Sequence, residues 1–172
     1  MAAENFEQCL ALILKEEGGY VNNPHDPGGR TNHGVTQAVW EVFIGKEVTE
    51  EDMKNLTIAD VAPLYHSQYW DKIRGDDLPD GVDYAVFDMA VNSGVSRAAK
   101  TLQQVLGVTP VDGQIGPATI SACEEANIRE VATKVCEARL AFLQGLPTWS
   151  NFGKGWGARV SRVETIAFRM VA

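Results

Sequence analysis

Apolar positions recur at helical spacing through most of the chain. Phe6, Cys9, Leu10, Ile13 and Leu14 fall at i, i+3, i+4, i+7 and i+8, one stripe of an amphipathic helix that Gly18-Gly19 ends. From Tyr20 to Gly34 the period disappears among glycines, prolines and asparagines, which predicts a long loop or a short irregular hairpin. Helical signals then dominate. Thr36 can cap a short helix through Val39, Trp40 and Phe43, and Thr49-Glu50-Glu51-Asp52 reads as a capping box. Thr57 opens a helix to about Ile73, with Val61, Leu64, Tyr65 and Tyr69 on one face. Residues 81–94 are apolar nearly all round, which predicts a central buried helix ended by Gly94, and Val95–Leu106 reads as another ended by Gly107. Pro117 suits the first turn of the next helix, and a long helix over about 129–144 follows. A last helix carries Trp156, Val160, Val163, Ile166, Ala167, Met170 and Val171 on its inner face. Strand-like alternation is nearly absent, so the fold class is mainly α, with a long glycine-rich loop after the first helix.

A chain of 172 residues suits one compact domain or two small, closely packed lobes. With 15 Lys and Arg against 23 Asp and Glu, the net charge is −8, which argues against nucleic acid or an anionic membrane as partner. Arg159, Arg162 and Arg169 read as solvated surface. No apolar run approaches the ~20 residues that cross a bilayer. Glu4, Glu7 and Lys15 break up the start of the chain, so neither a signal peptide nor a membrane anchor is expected. Cys9, Cys123 and Cys136 form no Cys-x-x-Cys pair and read as reduced thiols of a cytosolically made protein. His25, Asp26 and His33 could meet around an ion, but as turn formers in a glycine-rich loop they are better explained by solvation. Neither a metal nor an organic cofactor is expected.

Candidate chemistry gathers where the first helix gives way to the loop. At about 100° per residue, Glu17 falls within roughly 20° of Phe6, in the middle of the apolar stripe. Glu16 lies at the edge of the stripe and Lys15 opposite it. A carboxyl thus faces the core side at a helix C-terminus, where burial and the dipole both favour its protonated form, as a general acid requires. The alternative is a structural strut tied to an Arg or to backbone amides. Gly18-Gly19 and Gly28-Gly29 favour a cleft, because they clear side chains from around the carboxyl. Asp26 stands across the loop in Asp-Pro-Gly-Gly. Two carboxyls across a groove are the usual machinery of glycoside hydrolysis, set about 6.5–9.5 Å apart for inversion and about 5 Å for retention. Asp26 can equally be the cap of a good turn.

These segments resemble glycoside hydrolase family 108. The motifs are Lys15-Glu16-Glu17-Gly18-Gly19-Tyr20-Val21-Asn22, Asp26-Pro27-Gly28-Gly29-x-Thr31-Asn32-x-Gly34-Val35-Thr36-Gln37 and Phe87-Asp88-x-Ala90-Val91-Asn92-Ser93-Gly94. Asp112-Gly113-x-Ile115-Gly116-Pro117-x-Thr119 and Phe152-x-Lys154-Gly155-Trp156-x-x-Arg159-Val160 extend the resemblance over nearly the whole chain. It implies a lysozyme-like helical fold and an N-acetylmuramidase of the kind found in phage endolysins and secretion-associated enzymes of Gram-negative bacteria. The bond cut would be the β-1,4 link between N-acetylmuramic acid and N-acetylglucosamine, with Glu17 as general acid. Glu16 stands where the family often has His. The Glu17-x8-Asp26 spacing also resembles the start of the phage-lysozyme Glu-x8-Asp-x5-Thr triad, but Asn32 occupies the threonine position, with Thr31 before it and Thr36 after.

The resemblance implies residues 1–95 as the catalytic region and 96–172 as a helical peptidoglycan-binding region, packed as one compact unit. Tyr20, Asn32, Thr36, Gln37 and Asn92 are candidate substrate contacts. For Asp88 and Asn92, at i, i+4 on the buried helix, an internal hydrogen-bonded pair is the favoured reading. Trp149, Phe152 and Trp156 read as core before sugar platform, and Asp112 and Thr119 as turn and cap residues. A lytic transglycosylase using Glu17 alone, or a non-catalytic peptidoglycan-binding or secretion-accessory module, are the rival readings. The expected partner is the glycan strand, met by a monomer. It would be made in the cytoplasm and act on the periplasmic wall after passing a holin or a secretion machine. Intact-mass analysis after alkylation under denaturing, non-reducing conditions is expected to find three labelled cysteines, and fewer would overturn the reduced-thiol reading.

Overall fold

A computed structural model describes residues 2–22 and 29–171. Among them the chain forms helices α1 (Ala2–Glu17), α2 (Gln37–Ile44), α3 (Glu50–Lys54), α4 (Ile58–Tyr65), α5 (Val82–Ser93), α6 (Val95–Leu106), α7 (Pro117–Glu125), α8 (Ile128–Gln144) and α9 (Trp149–Met170). A two-stranded antiparallel sheet of β1 (Thr31–Asn32) and β2 (Val35–Thr36) interrupts them. The fold is mainly α, as the periodicity predicts. No helix of the described residues is long and apolar enough to cross a membrane.

The chain packs into two compact units, residues 7–67 and residues 1–6 with 68–172. In the smaller unit the predicted caps form. Thr36 Oγ1 accepts from Val39 N at the start of α2, and Thr49 and Thr57 each close a full capping box, with Asp52 and Asp60 as the reciprocal acceptors. Each such cap stabilises its helix by about 1 kcal/mol. Helix α4 stops short of the predicted Ile73. After Tyr65 the chain widens into a π-helical turn over His66–Trp70. The extra residue of that turn rotates the buried face by one position, so Trp70 is fully buried in place of the expected Tyr69.

The larger unit is built around α5, whose residues from Val82 to Ala90 are all buried. Helices α6, α8 and α9 pack on it, and α8 and α9 pack on each other. Residue 95 lies inside this unit, at the junction between α5 and α6. Trp70 anchors one end: its ring lies 5.1 Å from that of Phe87 and 5.5 Å from that of Phe6, and its Nε1 donates to Asp76 Oδ1 at 2.8 Å. The turn before α7 hangs on buried Gln103. Its Nε2 donates to Asp112 Oδ1 and to the Gln114 carbonyl, both at 2.9 Å, and its Oε1 accepts from Gly113 N at 3.0 Å. Asp112 is therefore a turn residue, and its hydrogen bonds hold its carboxyl below the ordinary value. Cys123 and Cys136 are buried thiols, and burial pushes them up to about 11 and about 12 respectively.

Asp83, also fully buried on α5, accepts from Asn5 Nδ2, Gly81 N and Tyr84 N. Burial outweighs those bonds and raises its carboxyl from 3.8 to about 6. Between those values the unfolded chain has released a proton that the folded chain still holds. The contribution of Asp83 is thus complete below about pH 4 and is lost as pH rises towards 6. Asp83→Asn should flatten that slope and raise stability at pH 8 by about 2 kcal/mol in urea titrations run from pH 4 to 8.

Candidate active site

Helix α1 delivers Glu17 as its last residue, half-buried, and the chain leaves through Gly18 at φ 80°. Gly18 and Gly19 are exposed, and a Cβ built on either would meet no atom of the described residues within 4 Å. The opposite flank is tight. The β1–β2 hairpin turns through His33 and Gly34, both at positive φ (49° and 76°), which is the backbone of a two-residue hairpin turn. Gly34 lies against the stem of Glu17: a Cβ there would stand 3.0 Å from Glu17 Cβ and 3.1 Å from Cγ. Only glycine allows both the φ and the approach.

The hairpin is fastened on several sides. Val21 N donates to the Thr31 carbonyl at 2.7 Å, and Thr31 N donates back to Val21 at 2.8 Å. Buried Asn32 donates through Nδ2 to the Met53 carbonyl at 2.8 Å, so this candidate contact serves as an anchor to α3. His33 Nε2 lies 3.1 Å from the Leu56 carbonyl, which requires the proton on that nitrogen. Gln37 is engaged at both ends, with Oε1 accepting from Arg30 Nη1 and Nε2 donating to the Val48 carbonyl, each at 3.0 Å. Thr36 caps α2. Asp26 and His25 lie outside the described residues, as does any separation between the Asp26 and Glu17 carboxyls.

Tyr20 sits in a charged cluster that the sequence did not suggest. Its hydroxyl donates to Glu50 Oε1 at 3.2 Å, and Lys54 Nζ lies 5.6 Å from the ring centroid. Glu50 also faces Lys54 at 3.4 Å and Arg30 at 3.6 Å. Lost hydration and then the bond to Glu50 raise the Tyr20 phenol above its ordinary value. The same bond, followed by the charge of Lys54, holds Glu50 below its own. No group of three or more His, Cys, Asp or Glu among the described residues could hold a metal ion.

Asn92 belongs to the other unit, where it and Asp88 converge on arginines rather than pairing with each other. Arg139, 1% exposed, donates to Asp88 Oδ2 at 2.5 Å and to Asn92 Oδ1 at 3.1 Å. Arg159 adds two more bonds to Asp88, from Nη2 to Oδ1 at 3.1 Å and from Nε to Oδ2 at 3.3 Å. Arg159 is thus part of a buried ion cluster, which corrects its reading as solvated surface; Arg162 and Arg169 are exposed. A carboxylate buried mid-helix requires a cation, and in that sense Asp88 signalled one without identifying it. Trp149, Phe152 and Trp156 are not full core. Phe152 is 55% exposed and stacks on Trp156 at 5.6 Å between centroids.

Residues 10–94 match the family model described as Glycosyl hydrolase 108. The structure of Brucella abortus SagA is 44% identical, aligned over 98% of this chain and 97% of that one, with a TM-score of 0.85. The chain belongs to glycosyl hydrolase family 108. No curated protein matches it. The family model spans Glu17, the hairpin and α5, so the described part of the candidate site lies within it.

Asp88→Asn should be costly, because it leaves buried Arg139 without a counter-charge. A loss of about 3–5 kcal/mol is expected in chemical denaturation, with Asn92→Ala well below that.

Proposed function

We propose that this glycoside hydrolase is an N-acetylmuramidase. In this reading it hydrolyses the β-1,4 bond between N-acetylmuramic acid and N-acetylglucosamine in peptidoglycan. The observation that carries it is the setting of Glu17: a half-buried carboxyl at a helix end, its stem packed by the Gly34 turn and followed by the exposed Gly18 and Gly19. A group so placed can be approached by a sugar while its own rotamer is restrained, which general acid catalysis needs.

The reaction follows from that geometry. Glu17 gives its proton to the glycosidic oxygen as the bond to the anomeric carbon breaks, and positive charge builds on the sugar ring. The second group, which steers water or stabilises that charge, is assigned to Asp26. Tyr20 is held by Glu50 three residues beyond Glu17, where its ring edge can border the sugar. Asn32, Thr36 and Gln37 act by holding the hairpin. Residues 96–172 serve peptidoglycan binding. A monomer acting on the periplasmic wall, delivered from the cytoplasm by a holin or a secretion machine, completes the reading.

Glu17→Gln keeps size and hydrogen bonding but removes the titrating proton. Clearing of purified peptidoglycan should fall by at least about 100-fold, with binding to intact sacculi retained. Glu16→Gln should keep most activity. Mass spectrometry should find reducing muramic acid ends; 1,6-anhydro ends would mark a transglycosylase instead. If Glu17→Gln remains active, the assignment fails.

A further inference from the structure

We propose that Tyr65 is a positioning residue for Glu17, acting through the His33–Gly34 turn; this rests on Glu17 being the general acid. Tyr65 is the last residue of α4 and is 2% exposed. Its Oη donates to the His33 carbonyl at 2.8 Å. The next residue of the turn, Gly34, is held between two side chains: a Cβ there would stand 2.5 Å from Tyr65 Oη and 3.0 Å from Glu17 Cβ. The phenol, the turn and the stem of the acid are therefore in one continuous line of contact, with no room between them for a methyl group.

That line has a mechanical consequence. A glutamate side chain has several accessible rotamers, and only some aim its carboxyl at a given glycosidic oxygen. The Gly34 backbone excludes those that would swing Cγ into the hairpin. It can do so only while the turn stays put. Two of the bonds that keep it there run from Tyr65 Oη to the His33 carbonyl and from His33 Nε2 to the Leu56 carbonyl. A phenylalanine would fill the same core volume as Tyr65, so the hydroxyl is the element that ties the turn. Without it the turn can relax towards the vacated position, and Glu17 gains orientations that miss the scissile oxygen. A misplacement of about 1 Å can cost on the order of 100-fold in rate, so a partial loss of restraint should be visible in kcat.

The test is the kinetics of Tyr65→Phe on soluble, uncross-linked glycan strands, beside Glu17→Gln and a stability control. Val86→Ala, which shortens a buried side chain of α5 in the other unit, serves as that control. Tyr65→Phe should lower kcat about tenfold with KM within about twofold, while Val86→Ala leaves kcat unchanged. His33→Ala frees the same turn from its other side at a half-exposed position. It should lower kcat in the same manner, and it carries the test if Tyr65→Phe does not fold. Unchanged kcat in the folded variants, a change confined to KM, or an equal loss in Val86→Ala overturns the proposal. If Glu17→Gln is inactive and Tyr65→Phe has full kcat, positioning alone is overturned. If Glu17→Gln is active, the assignment of Glu17 falls and the proposal falls with it.

Discussion

Helix α5 is buried along its first nine residues, and two of those nine are aspartates. A carboxylate cannot be left charged and unpartnered in such a place. The larger unit meets that constraint in two different ways. Asp88 is met by Arg139 from α8 and Arg159 from α9, which ties together the three helices that meet there. Asp83 has hydrogen-bond donors and, among the described residues, no bridging cation, and burial raises its carboxyl to about 6.

The smaller unit depends on a steric constraint rather than a charged one. Its hairpin has only two residues per strand, too short to be stable alone. It exists because its backbone and side chains are fastened outward: Val21 to Thr31, Asn32 to α3, His33 to Leu56, and Gln37 to Arg30 and Val48. Asn32 and Gln37, candidate substrate contacts in the sequence, are thus also fasteners of the hairpin whose turn packs against Glu17.

Helix positions and ends were legible because caps and glycines act locally. Thr36, Thr49, Thr57, Gly94 and Gly107 stand where the sequence places them. The end of α4 was not, because a π-helical turn leaves no mark on an apolar period until Trp70 is seen to replace Tyr69 in the interior. The half-buried setting of Glu17 at the end of α1 was legible from its angle on the stripe and the glycines that follow. Tyr65 was legible only as a core residue: its ring obeys the helical period, while the use of its hydroxyl depends on a carbonyl 32 residues away. Arg139 escaped for the same reason, being 51 residues from the carboxylate it serves.

Environment also separates two carboxylates of the smaller unit. Glu50 accepts a bond from Tyr20 and faces Lys54 and Arg30. Each of these favours its ionised form, so Glu50 is held below its ordinary value and is a poor proton donor. Its charge instead fixes the Tyr20 hydroxyl, and with it the chain just beyond Gly19. The stem of Glu17 is held differently: a glycine turn packs against its methylenes, and the two glycines that follow it are exposed. A backbone packed against methylenes restrains a side chain by shape alone, and the missing Cβ of Gly34 is what lets the backbone come that close.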